Sequence, residues 1–196
     1  MKSAKETSVE LPTTEQIEKE RARLRHKSRY SRTLRSTIAI LVVVAAVAVL
    51  VATLWMPVLR IYGSSMAPTL NDGQIVISLK TTDFKTGDIA AFYYGNKLLI
   101  KRYIAGASDW VYIDEDGTVS VNSIELDEPY IAEKAFGQTN IELPYQVPDK
   151  RYFLMGDNRE SSVDSRNTAV GCASDDQIVG KVVYCIWPLD RFGPVR

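Results

Sequence analysis

Histidine is almost missing from this chain. The only one, His26, lies in a basic, polar stretch ahead of the longest apolar run. A Ser-His-Asp or Cys-His arrangement within residues 57–196 is therefore excluded, and a hydrolase built there must take its base from Lys, Asp, Glu or Tyr. Cysteine is scarce too. Cys172 and Cys185 lack the clustered spacing of a zinc site. Outside the cytoplasm they would pair, or Cys185, in an apolar stretch, would stay a buried thiol; the two readings stand side by side.

An excess of positive charge is missing from the larger part of the chain. The net charge is +0, but residues 1–37 carry 10 Lys/Arg against 5 Asp/Glu, and residues 57–196 carry 14 against 19. The acidic part argues against nucleic acid as a partner, because neutralising phosphates needs a basic surface. Charge is absent altogether from residues 38–56, which are apolar except for Thr53. That length approaches the roughly 20 residues that cross a hydrocarbon core as a helix. Arg21, Arg23, Arg25, Lys27, Arg29, Arg32 and Arg35 precede the run, and only Arg60 follows it closely. Positive flanks stay in the cytoplasm, so residues 1–37 read as a cytoplasmic, flexible, basic tail with a candidate helix over residues 15–24. Residues 38–56 then read as a retained transmembrane helix in a lipid bilayer, and 57–196 as an extracytoplasmic domain.

No helix-period stretch of useful length follows Pro57. Residues 74–79, 89–94, 98–105, 110–113, 118–121, 151–155 and 178–187 are short runs rich in β-branched and aromatic residues. Gly95-Asn96 and Asp116-Gly117 mark turns between such runs. The fold class is mainly β, an antiparallel catalytic domain after one N-terminal transmembrane helix. Residues 127–150, with Pro129, Pro144 and Pro148, read as a longer surface excursion.

Three segments can carry chemistry. Gly63-Ser64-Ser65-Met66-Ala67-Pro68-Thr69-Leu70 follows the apolar run, and a serine in it is either a turn hydroxyl or an exposed nucleophile. Lys101 lies in Leu98-Leu99-Ile100-Lys101-Arg102-Tyr103-Ile104, where alternation groups Leu99, Lys101 and Tyr103 against Ile100, Arg102 and Ile104. It is either an edge lysine reaching water or a desolvated one of lowered pKa, able to take a serine proton. Residues 156–166, Gly-Asp-Asn-Arg-Glu-Ser-Ser-Val-Asp-Ser-Arg, are too polar to read as core. They form a solvated loop or a network that orients a site.

In this order, with Gly87-Asp88-Ile89 between them, these boxes resemble the bacterial type I signal peptidases (leader peptidases). Ile178-Val179-Gly180-Lys181 and Ile186-Trp187-Pro188 resemble that family's closing strand. The resemblance covers residues 38–196. It implies a β-rich serine endopeptidase that cuts signal peptides from exported preproteins, with no metal or organic cofactor. The partners expected are those signal peptides, the lipid bilayer and, as a further candidate, the protein translocase. At matching positions Ser65 would be the nucleophile and Lys101 the general base. Ser162 would orient the Lys101 amine, and Asp164 and Arg166 would form a supporting ion pair near Asp157. The Ser65 N–H is the expected oxyanion donor. Gly63 stands where some relatives carry a serine for that purpose, which leaves Ser64 as the second donor to consider. Ile61, Leu70 and Ile100 would line shallow pockets for the small residues before the cut, or are ordinary core residues.

Overall fold

The computed structural model describes residues 13–195. Two compact units divide it, residues 1–51 and 52–196. A single helix, α1 (Thr14–Trp55), runs through the first. The helix considered over residues 15–24 extends from Thr14 through the rest of the basic stretch, while residues 1–12 lie outside the described residues. The reason is local: no Pro or Gly interrupts Thr14–Trp55, and Pro57 ends the run. Within α1, Thr33–Trp55 is a stretch of 23 residues that holds an 18-residue window of mean hydropathy 3.0. At 1.5 Å per residue it is about 35 Å long, enough to cross a hydrocarbon core.

The second unit is antiparallel β. Its first strands are β1 (Val58–Arg60), β2 (Ile75–Leu79), β3 (Ile89–Tyr94) and β4 (Lys97–Ala105). Then come β5 (Trp110–Ile113), β6 (Val119–Val121), β7 (Ile124–Glu125) and β8 (Tyr145–Gln146). The chain returns through β9 (Arg151–Met155), β10 (Ala173–Ser174), β11 (Ile178–Trp187) and β12 (Gly193–Pro194). The larger sheet has the order β1-β2-β11-β3-β4-β9-β10, with β12 also on β11; the smaller is β7-β6-β5-β8.

This topology makes β4 an interior strand. It pairs with β3 through Ala90↔Lys101 and Ile89↔Arg102, and with β9 through Arg102↔Met155. Both faces of the sheet are covered. Ile61, Met66, Leu70, Val76, Ile89, Ala91, Ile100, Val182 and Cys185 form one apolar cluster. Leu99 and Tyr103 pack on a second, with Ala90, Phe92 and Leu154. The alternation of β4 is thus obeyed, with burial on both sides. A third cluster, including Ile104, Phe153 and Cys172, lies with residues of the smaller sheet. Cys172 and Cys185 are free, buried thiols in different clusters, so the disulfide reading does not hold.

Candidate active site

Lys101 is 3% exposed because its strand lies between two others. Its Nζ donates to Ser162 Oγ at 2.8 Å. Burial lowers its pKa from 10.5 to about 8; Asp164 pulls it back up, Arg166 pushes it down and Asp157 pulls it up. At pH 7 about a tenth of such a lysine is neutral, against about 0.03% of an ordinary one.

Residues 156–166, read from composition as unable to be core, are in large part buried. Asp157, Arg159, Ser162, Asp164, Ser165 and Arg166 are all at most 2% exposed. What permits this is pairing. Arg102 donates to both carboxylate oxygens of Asp157, at 2.7 and 2.5 Å. Arg166 grips Asp164 with two bonds of 2.9 Å. Arg159 pairs with Glu128, which comes from the excursion 127–150. Three guanidiniums thus meet three carboxylates, and no buried side-chain N or O among the described residues lacks a partner. Among the described residues Lys101 is the one buried charged side chain left over. A neutral amine there keeps the network balanced, while an ammonium adds an uncompensated charge.

The network reaches Lys101 through Ser162. Burial alone would raise the Asp164 pKa, but the hydrogen bonds and charge of Arg166, the Gly156 N–H and the Ser162 hydroxyl hold it below the carboxylate range. The other two carboxylates act from behind. Arg102 also donates to Gly87 O and Thr69 Oγ1, and the Tyr130 ring covers it at 3.7 Å. Arg159 Nε donates to Gly156 O, and Arg166 to Arg159 O.

Ser65 is half-buried in the turn after β1. Its carbonyl accepts from the Asn158 N–H at 3.1 Å, which ties the turn to the polar segment. Gly156 is the hinge of that contact, since a Cβ there would meet Ser65 O and Ser162 Oγ at less than van der Waals distance. The structure therefore brings Ser65 and Ser162 together at one glycine, and Ser162 in turn holds Lys101. It does not close a hydrogen bond between Ser65 and Lys101: among the described residues the Ser65 hydroxyl and N–H have no partner. Such contacts are often open before substrate binds. Gly63 adopts φ +83° and donates its N–H to Asp72 Oδ1 at 2.7 Å, so that N–H is engaged. Ser64 is exposed, and its carbonyl accepts from Ala67.

Ile61, Leu70 and Ile100 are 3%, 1% and 8% exposed and pack in one cluster. In this conformation they are core residues. Sequence reasoning missed Arg102, Glu128 and Tyr130 as parts of the site, and took Gly156 and Arg159 only as members of the polar segment. A signal existed for two of them: Arg102 in an apolar strand and Arg159 in the polar segment each require a carboxylate if buried.

Comparison with known proteins supplies the class. The family model described as signal peptidase, peptidase S26, matches residues 34–187. Signal peptidase I of Bacillus licheniformis is 33% identical over 166 residues, which is 78% of this chain and 88% of that protein. Signal peptidase IB of Staphylococcus aureus is 36% identical over 152 residues, 67% of this chain and 78% of that protein. A crystal structure of a signal peptidase I from Enterococcus faecalis aligns with a TM-score of 0.45 and 26% identity, over 52% of this chain and 98% of that one. The chain belongs to the signal peptidase family, peptidase S26. It is accordingly a serine peptidase, a hydrolase of peptide bonds.

Proposed function

We propose that this peptidase is anchored in the cytoplasmic membrane by residues 38–56 and removes signal peptides from exported preproteins with a Ser65–Lys101 dyad. Residues 1–37 lie inside and residues 57–196 outside. The basic flank of the span supports that orientation, and the names of the relatives support the substrate. The observation that carries the dyad is Lys101, buried beside a charge network that balances without it.

The chemistry is acyl transfer. Donating one N–H to Ser162 fixes the Lys101 amine and leaves its lone pair for the Ser65 hydroxyl. Ser65 Oγ attacks the carbonyl carbon before the scissile bond while Lys101 takes its proton. The oxyanion faces the Ser65 N–H, with the Ser64 hydroxyl as the second donor. The C–N bond breaks, and the Lys101 ammonium protonates the departing amine. Lys101 then deprotonates a water that attacks the ester, and Ser65 regains its hydrogen. Asp157, Asp164 and Arg166 position the lysine and the 156–162 turn. Ile61, Leu70 and Ile100 act from the core by shaping the ground beneath the residues before the cut.

The test is cleavage of a signal-peptide-bearing preprotein in detergent micelles. Ser65→Ala and Lys101→Met should each lose about 10⁴-fold or more in kcat, the scale of removing one member of such a unit. Near-normal turnover by either variant would refute the dyad.

A further inference from the structure

An open cavity of about 420 Å³ adjoins the Ser65 turn, and Asp157 and Arg159 of the buried network stand in its lining. Ala67 and Pro68 form one wall, and Asn158, whose N–H holds Ser65 O, forms another. The rest of that wall is the segment 157–160, which leads into Ser162 and so to Lys101. Ala132 and Glu133 connect it to a second cavity of about 510 Å³, beside Asp127 and Pro129. The two cavities share that stretch of lining, and together they are called the trough below.

Its charge is one-sided. The cations in its lining are already committed, Arg159 to Glu128 and Lys134 to Glu125. Among the described residues Glu133 and Glu160 beside the Ser65 turn, and Asp127 in the second cavity, take part in no ion pair, and all three are exposed. A second feature gives the trough a direction. In the acyl transfer proposed above, the leaving amine must depart on the side of the group that protonates it. The segment that carries Ser162, the partner of Lys101, is the same segment that walls the cavity.

We propose, resting on the Ser65–Lys101 reading, that this trough receives the residues that follow the scissile bond. Glu133 and Glu160 make it select against acidic side chains there and favour basic ones. The two carboxylates also face the α-ammonium that the product acquires once its new N-terminus takes a proton, so the same groups meet the product before release.

The test uses full-length protein in detergent micelles and three preproteins that differ only at the second residue after the cut: Lys, Gln or Glu. The quantity read is the ratio of kcat/KM for the Lys and Glu substrates, which cancels the amount of folded enzyme. Two exposed carboxylates predict a ratio of about fivefold at low salt, falling toward one in high salt. In the double variant Glu133→Gln, Glu160→Gln the ratio should lie within about twofold of one. A wild-type ratio near one, or a ratio that survives the double substitution, overturns the assignment. Failure of wild type to cut the neutral Gln substrate would instead overturn the proposed function, and this inference with it.

Discussion

Replacing Lys101 by Met should make the protein more stable at neutral pH, although it destroys the proposed base. Met keeps most of the side-chain length and removes the one buried cation that the three guanidinium–carboxylate pairs leave over. The sign follows from proton binding. Burial lowers the folded-state pKa of Lys101 from 10.5 to about 8. Between those values the unfolded chain holds a proton that the folded chain has given up, so wild-type stability climbs with pH across that window. Below about pH 8 both states are protonated, and the folded state bears the full cost of a desolvated ammonium, about 3 kcal/mol at pH 7. At pH 10 only about 1 kcal/mol remains, so the advantage of Lys101→Met should shrink by about 2 kcal/mol between pH 7 and pH 10. The variant also leaves Ser162 without its donor, a pH-independent loss of about 1 kcal/mol.

The assay is urea unfolding of full-length wild type and Lys101→Met in micelles at pH 7, 8, 9 and 10. Tyrosines and surface lysines titrate alike in both proteins and cancel in the difference. A difference that stays flat within about 0.5 kcal/mol over this range would refute the argument, because it would mean that Lys101 titrates alike in the folded and unfolded chain.

The same pKa predicts that kcat/KM of the wild type rises about tenfold per pH unit below pH 8 and levels off above it, read from a pH–rate profile. Asp164→Asn removes a charge that holds the lysine pKa up and leaves Arg166 unpaired. The acid limb of that profile should move to lower pH, while thermal unfolding reports a loss of about 3–5 kcal/mol. Gly156→Ala forces Ser65 O and Ser162 Oγ apart, and kcat should fall about 10²-fold while circular dichroism still reports the β fold. Alkylation should find both cysteines unreactive in the native protein and two free thiols after denaturation without reductant.

How legible this site was depends on how far each decisive contact lies along the chain. β3, β5, β9 and β11 have the bounds that runs of β-branched and aromatic residues give them, because each is long enough to stand out as such a run. β7, β8, β10 and β12 have two residues each, too few for any period, and exist because a partner strand holds them. Lys101 was ambiguous for a related reason. Its sequence neighbours are apolar in either an edge or an interior strand, and only the return of β9 beside β4 settles its burial. The roles expected of Ser65 and Ser162 came from family resemblance, since nothing local separates them from ordinary turn serines. The misreading of residues 156–166 as too polar for a core is the most instructive. Composition counts each charge as a cost, but a buried guanidinium is costly only when its carboxylate is missing. Arg166 finds Asp164 two residues away, which a reader of sequence can see. Arg102 finds Asp157 at a separation of 55 residues, and Arg159 finds Glu128 at 31. Those pairings follow from where the larger sheet carries β4 and from where the excursion folds back. In this protein the polarity of the site is therefore a consequence of the fold, and the lysine that remains without a carboxylate is the group whose titration is most open to experiment.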